Sequence, residues 1–130
     1  MQGKYSFEYA VVRVVPHVER EEFFNAGIVL YCPDQKFLDT RFQMHEDMLR
    51  VFCDKLDIAG LKEHIAAFER VCKGGKDAGQ IGKLPIAERF RWLTSPRSTV
   101  LQTSIPHPGL CDDAREMLEH LFEQLVGRKD

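Results

Sequence analysis

The residue types best suited to chemistry gather between Phe90 and Ser104. Arg91 and Arg97 each carry a planar fork of N–H donors that matches a phosphate or a carboxylate. Thr94, Ser95, Ser98, Thr99, Thr103 and Ser104 add hydroxyl donors, and a turn after Pro96 can present backbone N–H groups as an anion-binding nest. Trp92, the only tryptophan, offers a face on which a base can stack. These residues define a candidate ligand site of Arg91, Trp92, Arg97, Ser98 and Thr99. Each also has a plain structural use: Trp92 as core, Arg97 in a surface ion pair, Ser95 and Ser98 as turn and cap residues.

Other constellations are thinner. His107 and Cys111 stand four apart on a stretch rich in Pro and Gly, but structural zinc usually draws tight ligand pairs from two places. His45, His64 and His120 fall on helical segments without a metal-binding partner, so no metal and no cofactor is expected. A nucleophile needs a positioned base and an orienting acid. Cys111 with His107 is the one sequence-local pairing of that kind, and no catalytic residue is assigned.

Composition bounds the rest. A chain of 130 residues, 44% hydrophobic and 29% charged, fits one domain over residues 1–130 with a real core. A net charge of −2 argues against a general nucleic-acid binder, which rests on many phosphate-neutralising cations. No apolar run approaches the length of a membrane span, and the N-terminal residues carry no export signal, so the expected compartment is the cytoplasm. Cys32, Cys53, Cys72 and Cys111 form no Cys-x-x-Cys pair and read as reduced thiols packed like small hydrophobes.

The elements that must position these residues follow from periodicity. Tyr5 to Val15 alternates as a long strand, with Arg13 on the face of Tyr5, Phe7, Tyr9 and Val11. Arg13 either snorkels to water at the strand's end or is half-buried and needs a carboxylate. Ile28 to Cys32 is apolar without alternation, as in a strand covered on both faces, and Gly27 marks a bulge or close backbone approach. A turn over 33–36 leads to a half-polar return strand over 37–42. Helices follow over 45–53, with Met48, Leu49 and Phe52 on one side, and from the N-cap Asp57 to Lys73.

Lys73 to Lys83 has four glycines and three lysines and reads as the most flexible loop, a solvated linker, a lid or a phosphate-facing loop. A short helix opens at Leu84-Pro85 and stops at Pro96, with Ile86, Phe90 and Leu93 inward. A strand covers 98–103, and Ser104 to Leu110 is an irregular loop fixed by Pro106 and Pro108. Asp112 or Asp113 caps a last helix with Met117, Leu118, Leu121, Phe122 and Leu125 inward. The expected fold is α+β: a mostly antiparallel sheet of three to five strands with helices packed on one face.

Tyr9 to Pro16, Glu19 to Glu22 and Asn25 to Tyr31 resemble the opening of a family of small bacterial proteins, domain of unknown function 3037. The Arg-x-Val-Pro and Asn-x-Gly-Ile elements carry the resemblance, and Pro96 to Thr99 and His107 to Gly109 look similar too. The family is often encoded beside HipA-like serine/threonine kinases, which implies an accessory role with such a kinase as protein partner. The resemblance also draws Arg13, Arg20, Glu21 and Asn25 together as a polar cluster, either a structural network or the wall of a site.

Two readings follow. The first is a non-catalytic accessory or interaction protein, which requires an exposed apolar or mixed patch of roughly several hundred Å². The second is a phosphate-, nucleotide- or nucleic-acid-binding module or enzyme, which requires a concave pocket where Arg91 and Arg97 converge.

Overall fold

The computed structural model describes residues 3–17, 20, 22–97 and 99–127. The chain runs β1 (Tyr5–Val14), β2 (Phe24–Cys32), β3 (Phe37–Phe42), α1 (Glu46–Phe52), α2 (Ile58–Lys73), α3 (Ile86–Leu93), β4 (Leu101–Thr103), β5 (His107–Cys111) and α4 (Ala114–Leu125). The sheet order is β3-β2-β1-β4, and β5 also pairs with β1. All these pairings are antiparallel. The protein is an α+β domain built on an antiparallel sheet.

β1 is the spine because it is apolar on both faces. Ala10, Val12 and Val14 point into one core with Leu61, Phe68, Phe90 and Leu93, while Phe7 and Val11 point into another with Leu118, Leu121 and Phe122. β2 does the same, with Val29 and Tyr31 on the first side and Ile28, Leu30 and Cys32 on the second. A strand apolar on both faces needs a cover on each. Helices α1, α2 and α3 therefore pack on one face and α4 on the other, rather than all on the one face expected. Residue by residue, Ile28, Val29 and Leu30 are fully buried, each contributing on the order of 1.5–3 kcal/mol.

The bulge expected at Gly27 is present. Val12 faces Gly27 but Arg13 faces Asn25, which leaves Ala26 as the extra residue and flips the parity of β2. Close approach operates there too: a Cβ on Gly27 would sit 2.8 Å from the Arg41 carbonyl oxygen and 2.7 Å from the Phe42 ring.

β3 was expected to expose its polar side. That side is instead covered by α4, through Arg41–Glu119 at 2.8 Å and Arg115–Asp39 at 2.6 Å. The two guanidiniums also lie over Phe122 and Phe37. Gln35 joins the same layer, accepting from Ala114 N and donating to the Asp112 carbonyl, while Asp113 caps α4 by accepting from Glu116 N. Asp57 caps α2 in the same way through Gly60 N.

Two segments depart from the sequence reading. Residues 107–111 form a strand, not an irregular loop. Pro108 sits opposite Glu8 on an edge strand, where a missing N–H can face away from the ladder. Residues 74–84 are folded into 3₁₀ turns at Lys76–Ala78 and Ile81–Lys83, tied by Gly75 N to the Gly82 carbonyl. Gly74, Gly75 and Gly79 have φ of 75°, 96° and 64°, a region essentially closed to other residues, so glycine there builds a defined loop rather than a loose one.

Candidate functional site

The corner after α3 is shaped by helix geometry. Burial of Phe90 and Leu93 fixes the inner face of α3 and turns Trp92 outward at 40% exposure, so the indole is not core. Thr94 and Ser95 use their hydroxyls locally, donating to the Phe90 and Arg91 carbonyls at the end of the helix. Arg97 folds back over the indole, 4.1 Å from its centroid, and donates from Nη2 to the Trp92 carbonyl. Burial pushes its pKa down from the usual arginine value, yet a guanidinium of this kind stays charged in a protein. Thr99 donates to the Leu101 carbonyl.

Trp92, Arg97 and Thr99 line a cavity of about 190 Å³ whose floor is Phe68, Val71 and Leu101, with His64 at its edge. Arg91, one residue from Trp92 on the helix, is exposed and does not line it. The expected convergence of two guanidiniums thus becomes one guanidinium stacked on one indole. Ser98 lies outside the described residues. His64, set aside in the sequence as a lone helical histidine, is the addition. Its signal was the row Gly60, His64, Ala67 running beside the apolar stripe of α2, where small residues leave room.

The polar cluster divides. Arg13 and Asn25 are cross-strand partners at the bulge. Asn25 Nδ2 donates to the Leu125 carbonyl at 3.1 Å, and the Arg13 guanidinium lies 4.2 Å above the Phe23 ring. The Arg13 guanidinium rests on an aromatic face, and among the described residues its buried Nε has no hydrogen-bond partner. Arg20 pairs with Glu22 at 2.8 Å on the connector. Glu21 lies outside the described residues.

Two exposed apolar residues, Phe23 and Leu125, lie against Arg13 and Asn25. Phe23 is 48% exposed and Leu125 is 37% exposed on the α4 side. On the opposite side Phe24 meets Phe52 edge-on at 4.5 Å, leaving Phe52 51% and Val51 85% exposed. Phe52 was expected to face inward with Met48 and Leu49. Only Leu49 of the three is fully buried, and Phe52, at the helix's last position, is half-exposed beside Phe24.

The Cys111–His107 pairing does not form a nucleophile. The two residues lie four apart on β5, about 13 Å along a strand. His107 stacks against Tyr9, and burial, with the Cys32 thiol beside it, pushes the Cys111 pKa up to about 11. Burial raises the Cys72 thiol as well.

An α+β domain with one cationic–aromatic cavity beside α2 and one apolar rim around Arg13 is the class that fold and surface define. The chain belongs to the family described as a protein of unknown function (DUF3037), whose model matches residues 9–126. No curated protein and no solved structure matches it. Among the described residues, no helix is long and apolar enough to cross a membrane.

Proposed function

We propose that this protein is a non-catalytic interaction module whose partner-binding surface is the rim around Arg13. The observation that carries the reading is that Phe23 and Leu125 on the α4 side of the sheet, and Val51 and Phe52 on the opposite side, are all solvent-exposed near the end where β1 leaves and β2 enters. Large apolar side chains open to water near one end of a sheet suit a partner surface, and aromatic residues with arginine are the types that dominate protein interfaces. The stacking of Arg13 on Phe23 holds two such anchors in place before binding, which lowers the entropy lost on association. The partner proposed is a HipA-like serine/threonine kinase in a bacterial cytoplasm, on the strength of the family resemblance.

The test is co-expression with such a kinase, followed by size-exclusion chromatography. The rim reading expects one co-eluting complex, lost in a Phe23→Ser/Phe52→Ser double variant that retains its circular dichroism, and kept in Arg97→Ala. Survival of the complex in the double variant would overturn it.

A further inference from the structure

We infer that the groove along α2 binds a nucleoside phosphate. This site is separate from the protein-binding rim and stands or falls independently of it. The cavity at Trp92 has a neighbour along α2, and His64 lines both. The same histidine lines a second cavity of about 370 Å³, walled by Lys55, His17 and Val100, which extends toward the start of α2. From Gly60 to Val71 the helix face that lines the two cavities rises through eleven steps, about 16 Å at 1.5 Å per residue. That length admits a base, a ribose and a phosphate laid end to end.

The two halves differ in chemistry in the way such a ligand does. The Trp92 half has an apolar floor and one planar cation, Arg97, already stacked on the indole. A base slides onto that layered surface, because guanidinium and aromatic planes both stack on nucleobases. A guanidinium already held by the Trp92 carbonyl needs little further ordering to receive it.

The second cavity is lined by Lys55, an exposed ammonium, together with His17 and the shared His64. Among the described lining residues Asp57 is the one acidic group, and its Oδ1 accepts from Gly60 N as the α2 cap. A phosphate therefore sits at the His64–Lys55 side, with the base on Arg97. A net charge of −2 fits a site for one phosphate better than a track for a long polyanion.

The experiment uses the purified full chain and its single tryptophan as reporter. AMP and adenosine are titrated while Trp92 fluorescence is followed, in the parent and in Arg97→Ala, Lys55→Ala and Arg91→Ala. The groove reading expects saturable quenching by AMP, at least tenfold tighter than by adenosine. Lys55→Ala weakens AMP by about tenfold and brings it to the adenosine level, as expected for loss of one charge-assisted contact. Arg97→Ala weakens both ligands, and Arg91→Ala neither. Lys55 is exposed, so its variant folds even if Arg97→Ala does not.

Thymidine monophosphate against a dT tetranucleotide separates the sources of the same chemistry. Tighter binding of the tetranucleotide assigns a single strand, and equal or weaker binding a free nucleotide. The proposal is overturned by no saturable change at millimolar AMP or by adenosine binding as tightly as AMP. Equal weakening in Arg91→Ala, or tighter binding of a hexaglutamate peptide than of AMP, also overturns it.

Discussion

Replacing Arg89 by methionine removes the clamp between α2 and α3. Arg89 Nη1 donates to the Val71 and Cys72 carbonyls at 2.9 and 2.8 Å, and Nε donates to the Leu84 carbonyl at 3.1 Å. Two of these acceptors lie in the last turn of α2, where carbonyls have no partner within the helix. Hydrogen bonds to charged groups contribute roughly 1.5–3 kcal/mol each, and water can reach part of this site. The expected loss is therefore about 2–4 kcal/mol, well short of the full sum. For 130 residues, with an unfolding entropy near 2.1 cal/mol/K per residue, a loss of about 3 kcal/mol lowers Tm by roughly 11 °C.

Gly74 tests the same clamp from the other side. Its φ of 75° with ψ of 177° is essentially a glycine conformation, and an added Cβ would fall 2.5 Å from Arg89 Nη1. Gly74→Ala should cost about 2–4 kcal/mol in the parent, of which backbone strain is about 1–3. With Arg89→Met the new methyl group meets a flexible neutral chain, so the two changes should be less than additive by about 1 kcal/mol. Urea unfolding of the four proteins of the cycle, with unchanged slopes, reads this directly. An Arg89→Met loss below about 0.5 kcal/mol, the ordinary range of a surface change, would refute the clamp.

Ser104→Ala should destabilise by about 1–3 kcal/mol, since Ser104 Oγ accepts the buried Val11 N–H at 2.9 Å between β4 and β5; urea denaturation measures it. Ser104→Cys, which keeps only a weak acceptor, should recover little of the loss. Iodoacetamide on the native protein should label Cys53 first, because Cys32, Cys72 and Cys111 are buried; mass spectrometry of the peptides decides the order. The Cys111 pKa is raised from 9.0 to about 11, so the folded state holds that proton more tightly than the unfolded state. Its contribution to stability is fully present below pH 9 and is lost as pH rises toward 11, and Cys111→Ser should flatten that decline in a thermal melt series. Gly27→Ala should cost about 2 kcal/mol or more, because the Arg41 carbonyl that the new Cβ would meet belongs to paired backbone.

The sheet was legible because its signals are local. The unalternating run Ile28–Cys32, the bulge at Gly27 and the caps Asp57 and Asp113 are each written in a few neighbouring residues. The two-faced helix packing was also written there, since a strand covered on both sides already demands two layers. The half-polar pattern of β3 hid it, because α4 covers that face with charged side chains that pair with Asp39 and Arg41.

Sites were harder to read. Trp92 and Arg97 are five residues apart, so their stacking was within reach, but the cavity they line borrows its floor from α2. His64 could not be placed beside one cavity with Arg97 from the sequence, as the two are more than thirty residues apart and their approach depends on how α2 meets α3. The rim failed for a similar reason. Phe52 satisfies the helical stripe, and its exposure depends on where the end of α1 sits against Phe24 on β2, which no local pattern records.

The measurement that bears most directly on the interaction reading is calorimetric titration of a purified HipA-like kinase with the parent protein and with the Phe23→Ser/Phe52→Ser double variant. The rim account predicts a stoichiometric complex with the parent and at least a hundredfold weaker binding by the folded variant, about 2.7 kcal/mol for two aromatic anchors. Equal affinity for the two proteins, or no heat with the parent, would contradict it.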